Sequence, residues 1–174
     1  MGEWPVDFEF ATEECSLSTA LQLPCMTMIR PALAADLPAI ETIVREAFSI
    51  YLPRMDRPPG PMLDDYAGHI ANGHASVLTE NGAVLGFVVL IAKDDHLLLD
   101  VVATAPAAQG KGVGRRLVDF AVSETRRQGF KELRLYTNEA MGENIPLYEH
   151  LGFAVTHRVV EKGYRRVYMT KVVS

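Results

Sequence analysis

The sequence predicts an α/β fold: one domain with a mixed, mostly antiparallel sheet, helices on both faces and a parallel pair of strands at its centre. Three observations carry this expectation. Aliphatic runs of strand length are interleaved with two stretches of helical period. Asn81-Gly82, a strong hairpin signal, joins two of those runs. The runs at 96–104 and 131–137 are separated by a helical stretch, and strands joined by a crossover helix run parallel. At 174 residues the chain can bury the core of one domain.

Residues 1–26 stand apart from the domain expected at 27–174. Glu3, Asp7, Glu9, Glu13 and Glu14 make the start acidic, and no basic segment leads into an apolar one, so it does not read as a secretory signal. It is expected to be an extension, consistent with a start codon assigned too early, anchored by Trp4, Phe8 and Phe10.

The domain opens with a strand from Thr27 to Arg30. Asp36 is a good N-cap and Pro38 is tolerated in a first turn, so Leu37, Ile40, Ile43, Val44, Ala47 and Phe48 define an amphipathic helix over 36–50. Between Tyr51 and Met62, four prolines and Gly60 forbid regular structure and stiffen the path. A short helix over 63–72 stops at Gly73. Strands over 75–80 and 83–93 flank Asn81-Gly82, and Gly86 marks a bulge in the second. Asp94-Asp95 turns into the central strand. A glycine-rich loop leads to a helix over 112–128, capped by Gly129. Then follow a strand over 131–137, a helix over 143–151 capped by Gly152, and a closing hairpin, 153–161 and 164–173, about Lys162-Gly163.

Composition narrows the function classes. A net charge of −5 weighs against a nucleic-acid backbone as partner. No run nears the ~18–20 apolar residues of a membrane span. Cys15 and Cys25 show no metal-ligand spacing with histidines, so free thiols, with a disulfide as the alternative, no metal and a cytoplasmic location are expected.

The most informative stretch runs from His96 to Leu117. An aliphatic strand ends at Pro106, and Gln109-Gly110-Lys111-Gly112-Val113-Gly114-Arg115 then opens a helix. Glycines let backbone amides approach a ligand closely, and a helix N-terminus favours an anion. The dinucleotide fingerprint fails because Arg115 stands where its last glycine belongs, and the P-loop fails because Gly114 is followed by Arg115. Glycines that merely end a strand and start a helix remain the plain alternative.

What does fit is Q-x-x-G-x-G over Gln109 to Gly114. It resembles the acetyl-coenzyme A signature of the GCN5-related N-acetyltransferases, the GNAT superfamily, and the order of elements from Met28 onward is similar to theirs. A second stretch, Asn144-Ile145-Pro146-Leu147-Tyr148-Glu149-His150-Leu151-Gly152-Phe153, resembles that family's second signature. The resemblance implies that Gln109, Gly110, Lys111, Gly112, Val113, Gly114 and Arg115 hold the coenzyme pyrophosphate. It implies that Tyr148 is the acid that protonates the departing thiolate. It also implies that the central strand pair splays, freeing amides around Val102, Ala103 and Thr104 for the oxyanion and the pantetheine arm. Acetyl transfer needs such donors, and a phenol of pKa about 10 is protonated at neutral pH. One departure stands out: where many members carry an asparagine seven residues before the tyrosine, this chain has Met141. Asn144 either takes over coenzyme contact or caps the helix.

No general base is evident. The position that carries a glutamate in some relatives is Tyr136; Glu46, His69, Asp100 and Glu139 are other candidates, beside a water chain to bulk solvent. Asp100 alternates with its strand neighbours. For the acceptor, Arg54 and Arg57 in the proline-rich arm could pair with a carboxylate, and Tyr51 and Tyr66 could form walls; a solvated loop is the alternative. The expected activity is acetyl-CoA-dependent transfer to the primary amine of a small molecule, such as an amino acid-like acceptor. The alternatives are another acyl group, a hydroxyl acceptor, or a non-catalytic acyl-CoA-binding module. The closing hairpin offers an edge for a homodimer.

Overall fold

The computed structural model describes residues 26–174; Trp4, Phe8, Phe10, Cys15 and Cys25, on which the expectations for the start of the chain rest, lie outside them. Seven strands make one sheet: β1 Thr27–Pro31, β2 Ala75–Glu80, β3 Ala83–Ala92, β4 Leu97–Thr104, β5 Glu132–Asn138, β6 Ala154–Glu161 and β7 Tyr164–Val172. Their order is β1-β2-β3-β4-β5-β7-β6. The β4–β5 pair is parallel, as its crossover helix requires, and the other neighbours are antiparallel. Four helices cover the sheet: α1 Leu37–Phe48, α2 Tyr66–Ala71, α3 Val113–Arg127 and α4 Asn144–His150. Among the described residues, no helix is long and apolar enough to cross a membrane.

The core has two layers. On one face, Leu117, Val118 and Ala121 of α3 pack on Leu97 and Leu99 of β4, Leu133 and Leu135 of β5, and Val167 and Met169 of β7. On the other, Ile40, Ile43 and Val44 of α1 pack on Val77, Phe87, Val89, Val101 and Ala103. Leu97 and Leu99 therefore face α3, whereas Val101 and Ala103, still at period two, face α1. The register explains the exchange. Val89 pairs with Val101 but Leu90 pairs with Leu99, so Asp100 is an extra residue in β4, a bulge that turns the rest of the strand over.

A second bulge lies where Gly86 led us to expect one. Leu78 pairs with Gly86 and Thr79 with Val84, leaving Leu85 over. Gly86 itself is required by proximity: a Cβ there would lie 2.8 Å from the Ala103 carbonyl oxygen and 3.0 Å from Leu117 and Val113 side chains.

Two expectations need correction. The proline-rich arm is not wholly irregular, since 3-10 turns occupy Ser49–Arg54 and Gly60–Leu63; proline's fixed φ suits such turns. The second of them takes the residues expected to begin a helix at 63, and α2 starts only at Tyr66, with Asp65 accepting the Gly68 amide at 3.0 Å. Asp36 does not cap α1 with its side chain. A 3-10 turn, Ala34–Asp36, runs straight into the helix. The Asp36 carboxylate instead accepts the Leu33 amide at 2.7 Å and two bonds from Arg30 at 2.7 and 2.9 Å.

Two outcomes are expected. Gly86→Ala should destabilise the fold by about 1–3 kcal/mol, read as a lower denaturant midpoint, because the new methyl meets backbone. Arg30 holds the Asp36 carboxyl below its ordinary range, against the opposing effect of burial. A carboxylate shifted down stabilises the fold above its unfolded pKa of about 4 and loses that contribution as pH falls through the folded value. Asp36→Asn should therefore narrow the stability gap between pH 7 and pH 3 in urea titrations.

Candidate active site

β4 and β5 are hydrogen-bonded over three residues, Leu97 to Leu99 against Leu133 to Leu135. Past Leu99 the strands separate. From Asp100 to Thr104, β4 has no strand partner on its β5 side, while β3 still pairs its other edge. A cavity of about 280 Å³ fills the gap. Leu99 to Val102 and Tyr136 to Asn138 line its floor, Asn144 and Tyr148 of α4 one wall, and Gly60, Pro61, Leu63 and Asp64 of the arm its roof. Tyr164 and Arg166 of β7 complete it.

Next to the cavity, β4 runs through the 3-10 turn Pro106–Ala108 into the glycine loop. Gly110 and Gly112 both adopt φ of +76°, a left-handed conformation that L side chains rarely take, and nothing lies within 4 Å of a Cβ built at either. The first intrahelical amide bond of α3 is Arg116 to Gly112, 3.0 Å. The amides of Val113, Gly114 and Arg115 thus emerge at the positive end of a helix of 15 residues. Gln109, Lys111 and Arg115 are exposed, with Arg115 only loosely paired to Asp119 at 3.9 Å. Such an open cradle fits a diphosphate. Thr104 is the neighbour nearest a Cβ built on Gly114, at 3.6 Å, so strand end and helix start are adjacent.

Tyr148 projects into the cavity with its ring 5.8 Å from Phe153, at an angle of 69°. Burial, and secondarily the nearby Tyr51, push its phenol up to about 12. Asn144 lines the cavity and makes no helix cap; its side-chain amide lies near enough to the Tyr51 phenol to oppose the upward push of burial on that group. Met141 is buried at the same wall.

The other residues expected at the acceptor side are placed elsewhere. Arg54 pairs with Glu143 at the surface and lies over the Tyr51 ring. Tyr51 is buried in the core layer on the α1 face, its ring 6.3 Å from that of Phe48. Tyr66 is a core residue: its ring meets Phe87 edge-on at 5.4 Å and its hydroxyl donates to the Pro61 carbonyl at 2.7 Å. Arg57 fastens the arm to the closing hairpin. Its guanidinium donates to the Lys162 carbonyl at 2.9 Å and lies over the Tyr164 ring, whose hydroxyl donates to the Pro58 carbonyl at 2.9 Å. The cation that does line the cavity is Arg166, 4.3 Å from the Tyr136 ring centroid and 2.8 Å from Glu161. Sequence reasoning missed it, together with Asp64. Val167 and Met169 are buried, so alternation could have turned Arg166 rather than Arg165 to the opposite face once β7 was placed beside β5. Asp64 differs from Asp65 only in that Asp65 is spent on capping.

Gly163 holds the latch open for Arg57. A Cβ there would lie 2.5 Å from the guanidinium, and its φ is +79°. Gly163→Ala should displace Arg57 and free the arm; limited trypsin digestion should then cut after Arg54 several-fold faster than in the parent protein.

Residues 37–153 match the profile of the Acetyltransferase (GNAT) family. YjgM of Escherichia coli strain K12, named an uncharacterized N-acetyltransferase, is 32% identical over 139 residues, which cover 75% of this chain and 83% of YjgM. The structure is similar to that of the ribosomal-protein-S18-alanine N-acetyltransferase of Escherichia coli, with a TM-score of 0.67 at 24% identity over 86% of this chain and 95% of that one. It is also similar to yncA of Salmonella typhimurium, solved with acetyl-CoA, with a TM-score of 0.63 at 26% identity over 85% and 94% of the two chains.

Proposed function

This chain belongs to the acetyltransferase (GNAT) family, and we propose that it moves the acetyl group of acetyl-CoA to the primary amine of a small molecule by direct attack through a tetrahedral intermediate. It is an N-acetyltransferase that uses acetyl-CoA. The observation that carries the mechanistic part is the meeting of two groups in one cavity: the unpaired edge of β4 and the Tyr148 side chain.

Bound acetyl-CoA supplies a thioester, a carbonyl already activated toward an amine. The chain's own groups do the rest. The amides at the start of α3 and the glycine loop neutralise the phosphates. Strand amides alternate between the two edges of β4: Ala105 donates to Leu85 beside β3, so Ala103 turns that way too, and it is the amides of Val102 and Thr104, not Ala103, that face the gap as donors able to meet an oxyanion without reorganisation. Tyr148 is the proton donor to the departing sulfur. Its raised pKa keeps the phenol protonated throughout the neutral range, so it arrives at each turnover able to donate.

The shape of the cavity favours a small acceptor. The arm that roofs it is latched to the closing hairpin by Arg57 and Tyr164, which supports a small acceptor over a polypeptide end such as the alanine for which the Escherichia coli S18 enzyme is named. If the acceptor carries a carboxylate, Arg166 is the cation within the cavity, in place of Arg54 and Arg57.

A panel of primary amines, read by release of free thiol from acetyl-CoA, tests the activity; a protein that binds acetyl-CoA tightly but releases no thiol with any amine is a binding module. Tyr148→Phe should lower kcat by about 100-fold or more while leaving the Kd for acetyl-CoA within two-fold by calorimetry. An unchanged kcat removes Tyr148 from the chemistry.

A further inference from the structure

The amine side of the reaction needs a group to take a proton, and the cavity holds a cluster that transfer of the acetyl group leaves unused. Asp100 is the bulged residue of β4, so its side chain is not committed to either core layer. It lines the cavity. The Tyr136 hydroxyl donates to its Oδ1 at 2.8 Å. Among the described residues nothing donates to its Oδ2, and no buried side-chain oxygen lacks a partner, so Oδ2 opens to the cavity. Asp64 meets it from the roof, held by the Asp65 amide at 2.9 Å and by His69 Nε2 at 3.1 Å. One polar atom each from Asp64, His69 and Asp100 lies within 4.8 Å of the others.

The other charged and titratable groups about Asp100 leave this wall acidic. Tyr136 on β5 is held protonated by burial and by Asp100, and Tyr66 on α2 by burial and by Asp64. Arg166 on β7 sits over the Tyr136 ring with its charge paired to Glu161. His74 stands behind His69, 3.5 Å away. Glu46 is exposed on α1, and Glu139 is engaged by Arg158 at 3.1 Å and Arg165 at 3.9 Å. An ammonium, with three donors and no acceptor, suits two carboxylates at this spacing.

Resting on the acetyl-transfer reading, we propose that the acceptor enters as a cationic primary amine, that Asp64, positioned by the His69 Nε2–H, accepts from its ammonium, and that Asp100 is the general base that deprotonates it. Asp100 takes one proton. The freed nitrogen pair forms the bond to the acetyl carbon, and the C–S bond breaks with its pair leaving on sulfur. The sulfur takes a proton from Tyr148, which regains one from the nitrogen, and the proton on Asp100 passes to solvent.

The test compares two acceptors on the wild-type protein and on Asp100→Asn: a primary alkylamine, cationic at neutral pH, and an alkoxyamine, neutral there. Thiol release is followed across pH, with acetyl-CoA binding by calorimetry as the control for folding. Asp100→Asn should lower kcat/KM for the alkylamine by about 100-fold or more, change its pH profile, and cost the alkoxyamine far less. Asp100→Glu should recover part of the loss. Loss of less than three-fold, or equal loss on both acceptors, overturns the proposal while the transfer reading stands. If wild-type protein turns over no amine, both fall. Should Asp100→Asn fail to bind acetyl-CoA, Asp64→Asn decides: a ten-fold rise in KM for the alkylamine alone is expected, and an equal effect on both acceptors overturns the assignment.

Discussion

The separation of β4 from β5 past the Leu99–Leu135 pair is the constraint on which the site depends. A parallel pair that continued would consume the β4 amides and close the floor of the cavity. The bulge at Asp100 works against continuation, because an extra residue interrupts the ladder and increases local twist. One residue thus has three consequences. It frees a row of backbone groups that need partners. It moves Val101 and Ala103 from the α3 layer to the α1 layer. It leaves a carboxylate facing the gap instead of the core.

Around that gap the charges are sorted. The end at the glycine loop carries the amides at the start of α3, with Lys111, Arg115 and Arg116 exposed about them. The end beneath the arm carries Asp64 and Asp100, with Arg166 paired to Glu161. An anionic ligand is favoured at one end and a cationic one at the other. The arm closes the second end through neutral and charge-assisted bonds to backbone carbonyls at Pro58 and Lys162, contacts that tolerate wide variation in the side chains around them.

The order of elements, the parallel pair and the conformation of the glycine loop were legible because each follows from local chemistry. Proline ends a strand, glycine permits φ of +76° at two places, a crossover helix imposes parallel pairing, and aliphatic spacing marks the buried faces. The same rules failed for Asp36, whose carboxylate prefers Arg30 and the Leu33 amide to the helix end, and for the start of α2, which depends on a 3-10 turn in the arm.

The acceptor side was not legible, and the reason is distance along the chain. Arg54, Arg57, Tyr51 and Tyr66 all lie in or near the arm, as expected, but their directions are set by Glu143, Lys162, Asn144 and Pro61. Arg166 and Asp64 join the site only because β7 lies beside β5 and the arm folds back over both. Asp100 stood among the candidates as one of four, and its bulge, which no local pattern of Leu-x-Leu-Asp-Val-x-Ala betrays, is what turns it to the cavity. The sequence by itself determined most of the elements, their order and the open glycine-rich loop, since these are short-range properties of the backbone. Only tertiary structure decided which charged side chains meet, because that depends on a register slip between strands and on contacts spanning up to about a hundred residues.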